Sequence, residues 1–191
     1  MPSIKDTATE KNLLTAFAAE SQDRNRFTYY ASVAKLEGYE LVAALLNEAA
    51  NHEKEYAKRL FKFFEGGVVE ITASYPTSGV GGTAANLAAA AQREGEKSEL
   101  IYPEYAKKAV EEGFSLIAEV FLSIAKAQAQ HAADFQRLNK LLTDGEMFKR
   151  EESVRWRCRN CGYLTESEQA PEVCPCCGHA QGYFEVVRDQ Y

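Results

Sequence analysis

The sequence predicts a mainly α protein: a four-helix bundle with one long crossover, followed by a small β-containing metal-binding domain. Three observations carry this. Apolar residues recur at alternating three- and four-residue spacing through the first three quarters of the chain, the pattern of one buried face on a helix. One long connection rich in Gly, Ser and Thr interrupts that region, and all five cysteines fall in the last quarter. The expected division is residues 1–148 for the bundle and 149–191 for the metal-binding domain.

The first helix opens at Thr7 and Glu10, which have capping-box spacing, and closes at Gly38, with an inner stripe of Leu13, Phe17, Glu20, Arg24, Phe27, Ala31 and Ala34. The second starts near Tyr39 and places Leu46, Ala49, Glu53, Tyr56, Leu60 and Phe63 in phase. The connection "VVEITASYPTSGVGGT" then suits a crossing between helices that are not antiparallel neighbours. The third helix carries Leu87, Ala90, Glu94, Lys97 and Ile101 on one face before Pro103 restricts or kinks it. The fourth repeats through Ile117, Phe121, Ile124, Gln128, His131, Phe135, Leu138 and Leu142, and ends near "DGE". Beyond it "KREESVRW" reads as a linker, and "RWRCR" and "YFEVV" as short β pieces. So few apolar residues need a staple to fold.

Composition limits the function classes. At 191 residues and 46% hydrophobic content the chain can bury one substantial core and a small appendage, and its net charge of −6 argues against nucleic acid or an anionic membrane as partner. "MPSIKDTATEKNLL" lacks the apolar core of a signal peptide, and "ELVAALLNEAA" is far shorter than the roughly 20 residues that span a bilayer, so a cytoplasmic location is expected. Clustered cysteines in a reducing compartment point to metal thiolates rather than disulfides.

Cys158 and Cys161 form one C-x-x-C pair, and Cys174 and Cys177 a second. Four thiolates so arranged suit tetrahedral coordination of zinc or iron, and the spacing alone leaves both open. Cys176 lies between two of the four and has no partner in the motif. "CRNCGY" and "CPCCG" resemble the two knuckles of rubredoxin, which implies one iron cycling between ferrous and ferric states.

The helical stripes hold an anomaly. Glu20, Glu53, Glu94, Lys97, Gln128 and His131 fall on faces otherwise filled by Leu, Ile, Phe and Ala. A bare buried carboxylate is costly, so these groups are expected to meet one another, a cation or a metal at a shared centre. His52, off the main phase, is expected at the surface or boundary.

With "LLTAFAAESQDRNR", "EKEYAKRLFKFFEGG", "IYPEYAKKAVEEGF" and "WRCRNCGY", essentially the whole chain resembles rubrerythrin, a ferritin-like bundle with a C-terminal rubredoxin-like domain. The resemblance implies a non-haem diiron centre that reduces hydrogen peroxide to water, electrons delivered from the rubredoxin iron, and a homodimer in which one subunit's rubredoxin domain approaches the other's bundle. It also implies a redox partner protein as donor.

The departures are specific. Ferritin-like diiron sites take single glutamates from two helices and a Glu-x-x-His pair from each of the other two. Here Tyr56 stands where the second helix's His belongs, Gln128 where the fourth helix's Glu belongs, and Lys97 where rubrerythrins carry a further carboxylate. A two-residue shift that would promote Glu96 and Glu99 fails on phase, because they align with Ala89, Gln92 and Pro103. Lys97 can fill the space of a metal and pair with two or three carboxylates. The expected content is therefore one FeS₄ centre, with the bundle site empty, filled by Lys97, or holding at most one divalent ion on Glu20, Glu53, Glu94 and His131. The alternatives are an NAD(P)H-linked peroxidase that defends against oxidative stress with an altered bundle site, and a structural zinc protein.

Overall fold

A computed structural model describes residues 2–77 and 79–187. Helix α1 spans Ala8–Leu36, capped by Thr7, whose hydroxyl accepts from the Glu10 N–H while a Glu10 carboxylate oxygen accepts from the Asp6 N–H. It ends where Tyr39 N–H returns to the Ala34 carbonyl and Gly38 N–H to that of Lys35, which satisfies two otherwise orphaned acceptors. Helix α2 spans Glu40–Phe61, α3 Thr83–Glu96, α4 Tyr102–Glu111 and α5 Ser115–Thr143.

The third predicted helix is α3 and α4 joined through a π turn, Lys97–Ile101. Its cause lies at Pro103, which has no N–H to give the carbonyl four residues back. The Tyr102 N–H reaches instead to Lys97, five residues earlier. A five-residue turn puts Lys97 and Tyr102 on the same inner face, and both are fully buried.

Helices α1 and α2 pack as one antiparallel pair, and α5 packs on α3 and α4. The crossover between α2 and α3 is tied down by the Tyr75 hydroxyl, which donates to the Thr15 carbonyl at 3.1 Å, and by the Arg26 guanidinium on the Pro76 carbonyl. Between the helix pairs the apolar core falls into two clusters. One holds Phe27, Leu46, Leu87, Phe135 and Leu138; the other holds Leu13, Leu60, Phe114, Ile117 and Phe121. Glu20, Asp23, Glu53, Glu94, Lys97 and Gln128 are buried as well, and Tyr102 of the second cluster hydrogen-bonds Glu20.

Two sequence expectations are corrected here. Arg24 is exposed and Asp23, one residue earlier, is buried, because the apolar phase of α1 steps through Glu20, Asp23 and Phe27. The segment read as a linker is the strand β1, Lys149–Cys158, paired with β2, Leu164–Gln169, and β3, Phe184–Val186, in an antiparallel sheet of order β2-β1-β3. Its charged sequence hid the strand, because a sheet this small leaves most of its side chains in water. Residues 188–191 of the expected second domain lie outside the described residues.

The sheet domain rests on the α1–α2 corner. Tyr39 stacks on Phe148 at 6.0 Å with planes 3° apart, and the Glu40 carboxylate lies near enough to Tyr183 to push its phenol pKa up. Gly182 lies so close to Gly38 that a Cβ there would overlap the Gly38 carbonyl.

Candidate metal centres

The first centre is built at two turns of the sheet domain. Cys158 ends β1 and Cys161 follows in the turn; Cys174 and Cys177 occupy a second turn facing the first. In each, the glycine after the second cysteine closes the loop: Gly162 N–H donates to the Cys158 carbonyl at 2.8 Å, and Gly178 N–H to that of Cys174 at 2.9 Å. Both glycines have φ near +75°, 77° and 73°, which a side chain would strain.

The four sulfurs lie within 4.8 Å of one another, with Cys158 to Cys177 at 3.8 Å and Cys161 to Cys174 at 3.6 Å. A tetrahedral ion with metal–sulfur bonds of about 2.3 Å has sulfur–sulfur edges of about 3.8 Å, so the set fits one metal. Cys158 and Cys174 are buried against Trp156, Ala170 and Phe184, whereas Cys161 is exposed. A backbone hydrogen bond from His179 holds the Cys177 thiol down to about 6, whereas Cys161, despite a backbone hydrogen bond from Tyr163, is pushed up by desolvation and by the three neighbouring thiols. Cys176 is exposed and stands outside the four-sulfur group.

The second centre lies inside the bundle. Its six polar residues come from α1 (Glu20, Asp23), α2 (Glu53), α3 and the π turn (Glu94, Lys97) and α5 (Gln128), all fully or almost fully buried. The Lys97 ammonium sits at their middle. Nζ lies 3.1 Å from Glu20 Oε2, 3.0 Å from Asp23 Oδ2, 3.0 Å from Glu53 Oε2 and 2.7 Å from Glu94 Oε1. An ammonium has three hydrogens, so four carboxylates exceed its donors. Hydrogen bonds run to Glu20 and Glu53, and the contact with Glu94 Oε1 is an ion pair without hydrogen-bond alignment.

The other oxygen of Glu20 accepts from the Tyr102 hydroxyl and, at 2.9 Å, from the Gln128 amide. His131 Nδ1 faces Glu94 Oε2 at 2.9 Å and Glu53 Oε1 at 3.7 Å. Arg93 Nε shares Asp23 Oδ2 with Lys97 at 3.3 Å, and Arg26 lies 3.6 Å from the other oxygen of Asp23.

The electrostatics follow from burial. Desolvation opposes the Lys97 charge, but Glu20, Glu53, Glu94 and Asp23 outweigh it and hold its pKa well above the ordinary lysine value. Glu53 is pushed well above the ordinary carboxyl range, first by burial and then by Glu20, which favours its neutral form among the crowded carboxylates. Burial and then Glu53 push the half-buried Tyr56 phenol up. It therefore stays neutral near pH 7.

Of the bundle residues expected from sequence, Glu20, Glu53, Glu94, Lys97, Gln128 and His131 do converge; Tyr56 stands at the edge, beside His131 with ring centroids 6.2 Å apart. Glu53, Glu94 and His131 form one group of close ligand atoms and Glu20, Asp23 and Glu53 another; Lys97 Nζ contacts the four carboxylates of both. Sequence reasoning missed Asp23 and Tyr102. Asp23 sits three residues after Glu20, a spacing as helical as the four-residue step that was followed to Arg24. Tyr102 required knowledge of the π turn.

Comparison with known proteins decides the family. The rubrerythrin family model matches residues 11–139 and 85–158, and that of the rubrerythrin rubredoxin-like domain matches residues 156–185. A rubrerythrin of Porphyromonas gingivalis is 52% identical over 189 residues, 99% of this chain and 94% of the relative. The chain belongs to the rubrerythrin family. A rubrerythrin of Nitratidesulfovibrio vulgaris is 46% identical over 98% of both chains. The fold is also shared with a mixed-valent state of nigerythrin, at a TM-score of 0.64 and 24% identity over 96% of this chain and 90% of that one.

The chain is thus a rubrerythrin-family iron protein with a rubredoxin-like domain, and the clustered sulfurs of Cys158, Cys161, Cys174 and Cys177 support an iron centre there. Among the described residues no helix is long and apolar enough to cross a membrane.

Proposed function

We propose that this rubrerythrin-family protein is a one-iron electron carrier, with a bundle whose centre is closed to a diiron site by Lys97. One observation carries the reading: the Lys97 ammonium lies 2.7–3.1 Å from four carboxylates that would otherwise neutralise metal. Two irons bring roughly four or more positive charges and ask for several anionic ligands. The residues here do not fit them. An ammonium fills the space between Glu20, Glu53 and Glu94, Gln128 offers only a neutral amide, and Tyr56 is held as a phenol.

When bound at the cysteines, iron supplies one-electron ferrous/ferric chemistry. The chain's own residues set its surroundings. Trp156 and Phe184 keep water from Cys158 and Cys174, while exposed Cys161 gives the centre a face open to a redox partner protein. That partner, a homodimeric assembly and a cytoplasmic location extend the reading, supported by the family resemblance and by the absence of any membrane-length helix among the described residues.

The test is visible spectroscopy of the purified protein. Ferric thiolate gives a red protein that bleaches on one-electron reduction and recovers its colour on reoxidation, and the same bleaching with reduced protein should leave excess hydrogen peroxide essentially unconsumed. A colourless zinc-bearing protein, or sustained peroxide turnover, would contradict the proposal.

A further inference from the structure

His52 is exposed, as its phase in the sequence implies, yet it is not isolated. Its Nδ1 lies 3.0 Å from His131 Nε2, with the ring planes 6° apart, across the mouth of a cleft of about 350 Å³ between α2 and α5. His131 is oriented from behind. A carboxylate oxygen only accepts, so the 2.9 Å contact with Glu94 Oε2 places the proton of His131 on Nδ1 and leaves a lone pair on Nε2, the atom that faces His52 Nδ1.

We propose that His52 and His131 form a site for a single divalent transition-metal ion at the mouth of this cleft, separate from the buried carboxylate cage. Two nitrogens on a tetrahedral ion with bonds of about 2.0 Å stand about 3.3 Å apart, close to the 3.0 Å observed. The Glu94 carboxylate behind His131 is the kind of outer partner that fixes tautomer and ring direction in a metal-ligating histidine. Glu48, four residues before His52, and Asp134, three residues after His131, line the same cleft, so further oxygen donors are within one helical turn on each side. Asp134 is held by Gln130, which also lines the cleft, at 3.1 Å and by Arg137. Imidazole donors favour zinc, copper or nickel over magnesium or calcium.

The proposal rests on the preceding reading in one respect: Glu94, and not a buried metal, holds His131 Nδ1. The experiment separates the two. Protein with iron already in its cysteines, carrying Cys176→Ser to remove the exposed thiol, is dialysed to equilibrium against zinc and the metals are counted, with the visible band reporting retained iron. The expected result is one additional zinc, lost in His52→Ala and in His52→Gln, and kept in Glu53→Gln. The glutamine variant can still hydrogen-bond to His131, so loss there separates metal ligation from a simple hydrogen bond. No additional zinc, or zinc kept in both His52 variants, overturns the proposal. If zinc is kept in both His52 variants and lost in Glu53→Gln, the metal is in the cage and the preceding reading fails with the proposal.

Discussion

Lys97 and Glu94 sit one turn apart on the same helical segment, with Nζ 2.7 Å from Oε1 and both side chains sealed from solvent. The two are the centre of an ionic cage to which α1 adds Glu20 and Asp23 and α2 adds Glu53. Removing the ammonium strands those carboxylates in a low-dielectric interior. Lys97→Met is expected to lower unfolding free energy by about 3–5 kcal/mol, the range for breaking a buried ion pair from one side. Urea denaturation measures it, and a loss under about 1 kcal/mol would mean that the cage is not organised around the lysine.

The second prediction reverses the substitutions. Lys97→Glu with Tyr56→His and Gln128→Glu recreates two Glu-x-x-His pairs and replaces the fixed cation with a carboxylate. This triple variant should take up about two more irons per chain than the parent and be stabilised by them. A folded triple variant with no additional iron would show that something besides these three side chains closes the site.

Stability should also fall toward alkaline pH, and the sign follows from both shifted groups. Glu53 and Lys97 each have a raised native pKa, so the native state binds more protons than the unfolded chain. The Lys97 contribution is fully present below the ordinary lysine pKa of 10.5 and lost as pH rises through its native value. For Glu53 the native advantage is complete below the ordinary 4.5 and declines above it. Glu53→Gln removes that titration. Relative to the parent, its stability should rise by about 1.4 kcal/mol per pH unit above 4.5, until Glu53 ionises in the native protein. Chemical denaturation from pH 5 to 8 tests this; parallel pH profiles for the two proteins would contradict it.

A fourth prediction concerns the seat of the iron domain. Gly182→Ala pushes a methyl group into the Gly38 carbonyl and should cost about 1–3 kcal/mol at that contact. The four cysteines are untouched, so the visible band should persist while limited proteolysis cuts faster between α5 and β1, near residues 144–148. An unchanged cleavage rate would mean that the corner contact does not hold the domain.

Much of this was legible in the sequence, for reasons that explain the gaps. The stripe through Ile117, Phe121, Gln128 and Leu138 places Gln128 inside because a helix fixes its own phase, and the two C-x-x-C pairs announce their metal because so small a domain has little else to hold it. The π turn was not legible, since its effect is to break the period on which the reading depended; Tyr102 was lost with it. Asp23 lost to Arg24 because both satisfy helical spacing and only packing against Arg93 and Lys97 chooses between them. The pairing of His52 with His131 joins α2 to α5, a relationship that spacing along either helix does not contain. The strand β1 was hidden by charges that a three-stranded sheet leaves in water.

The central claim is that Lys97 stands in place of metal. Its most direct test is the iron content of the intact chain after anaerobic loading with ferrous ion and desalting. The account predicts about one iron per chain, held by Cys158, Cys161, Cys174 and Cys177. About three per chain would mean that the bundle assembles a diiron centre despite Tyr56, Lys97 and Gln128, and would contradict it.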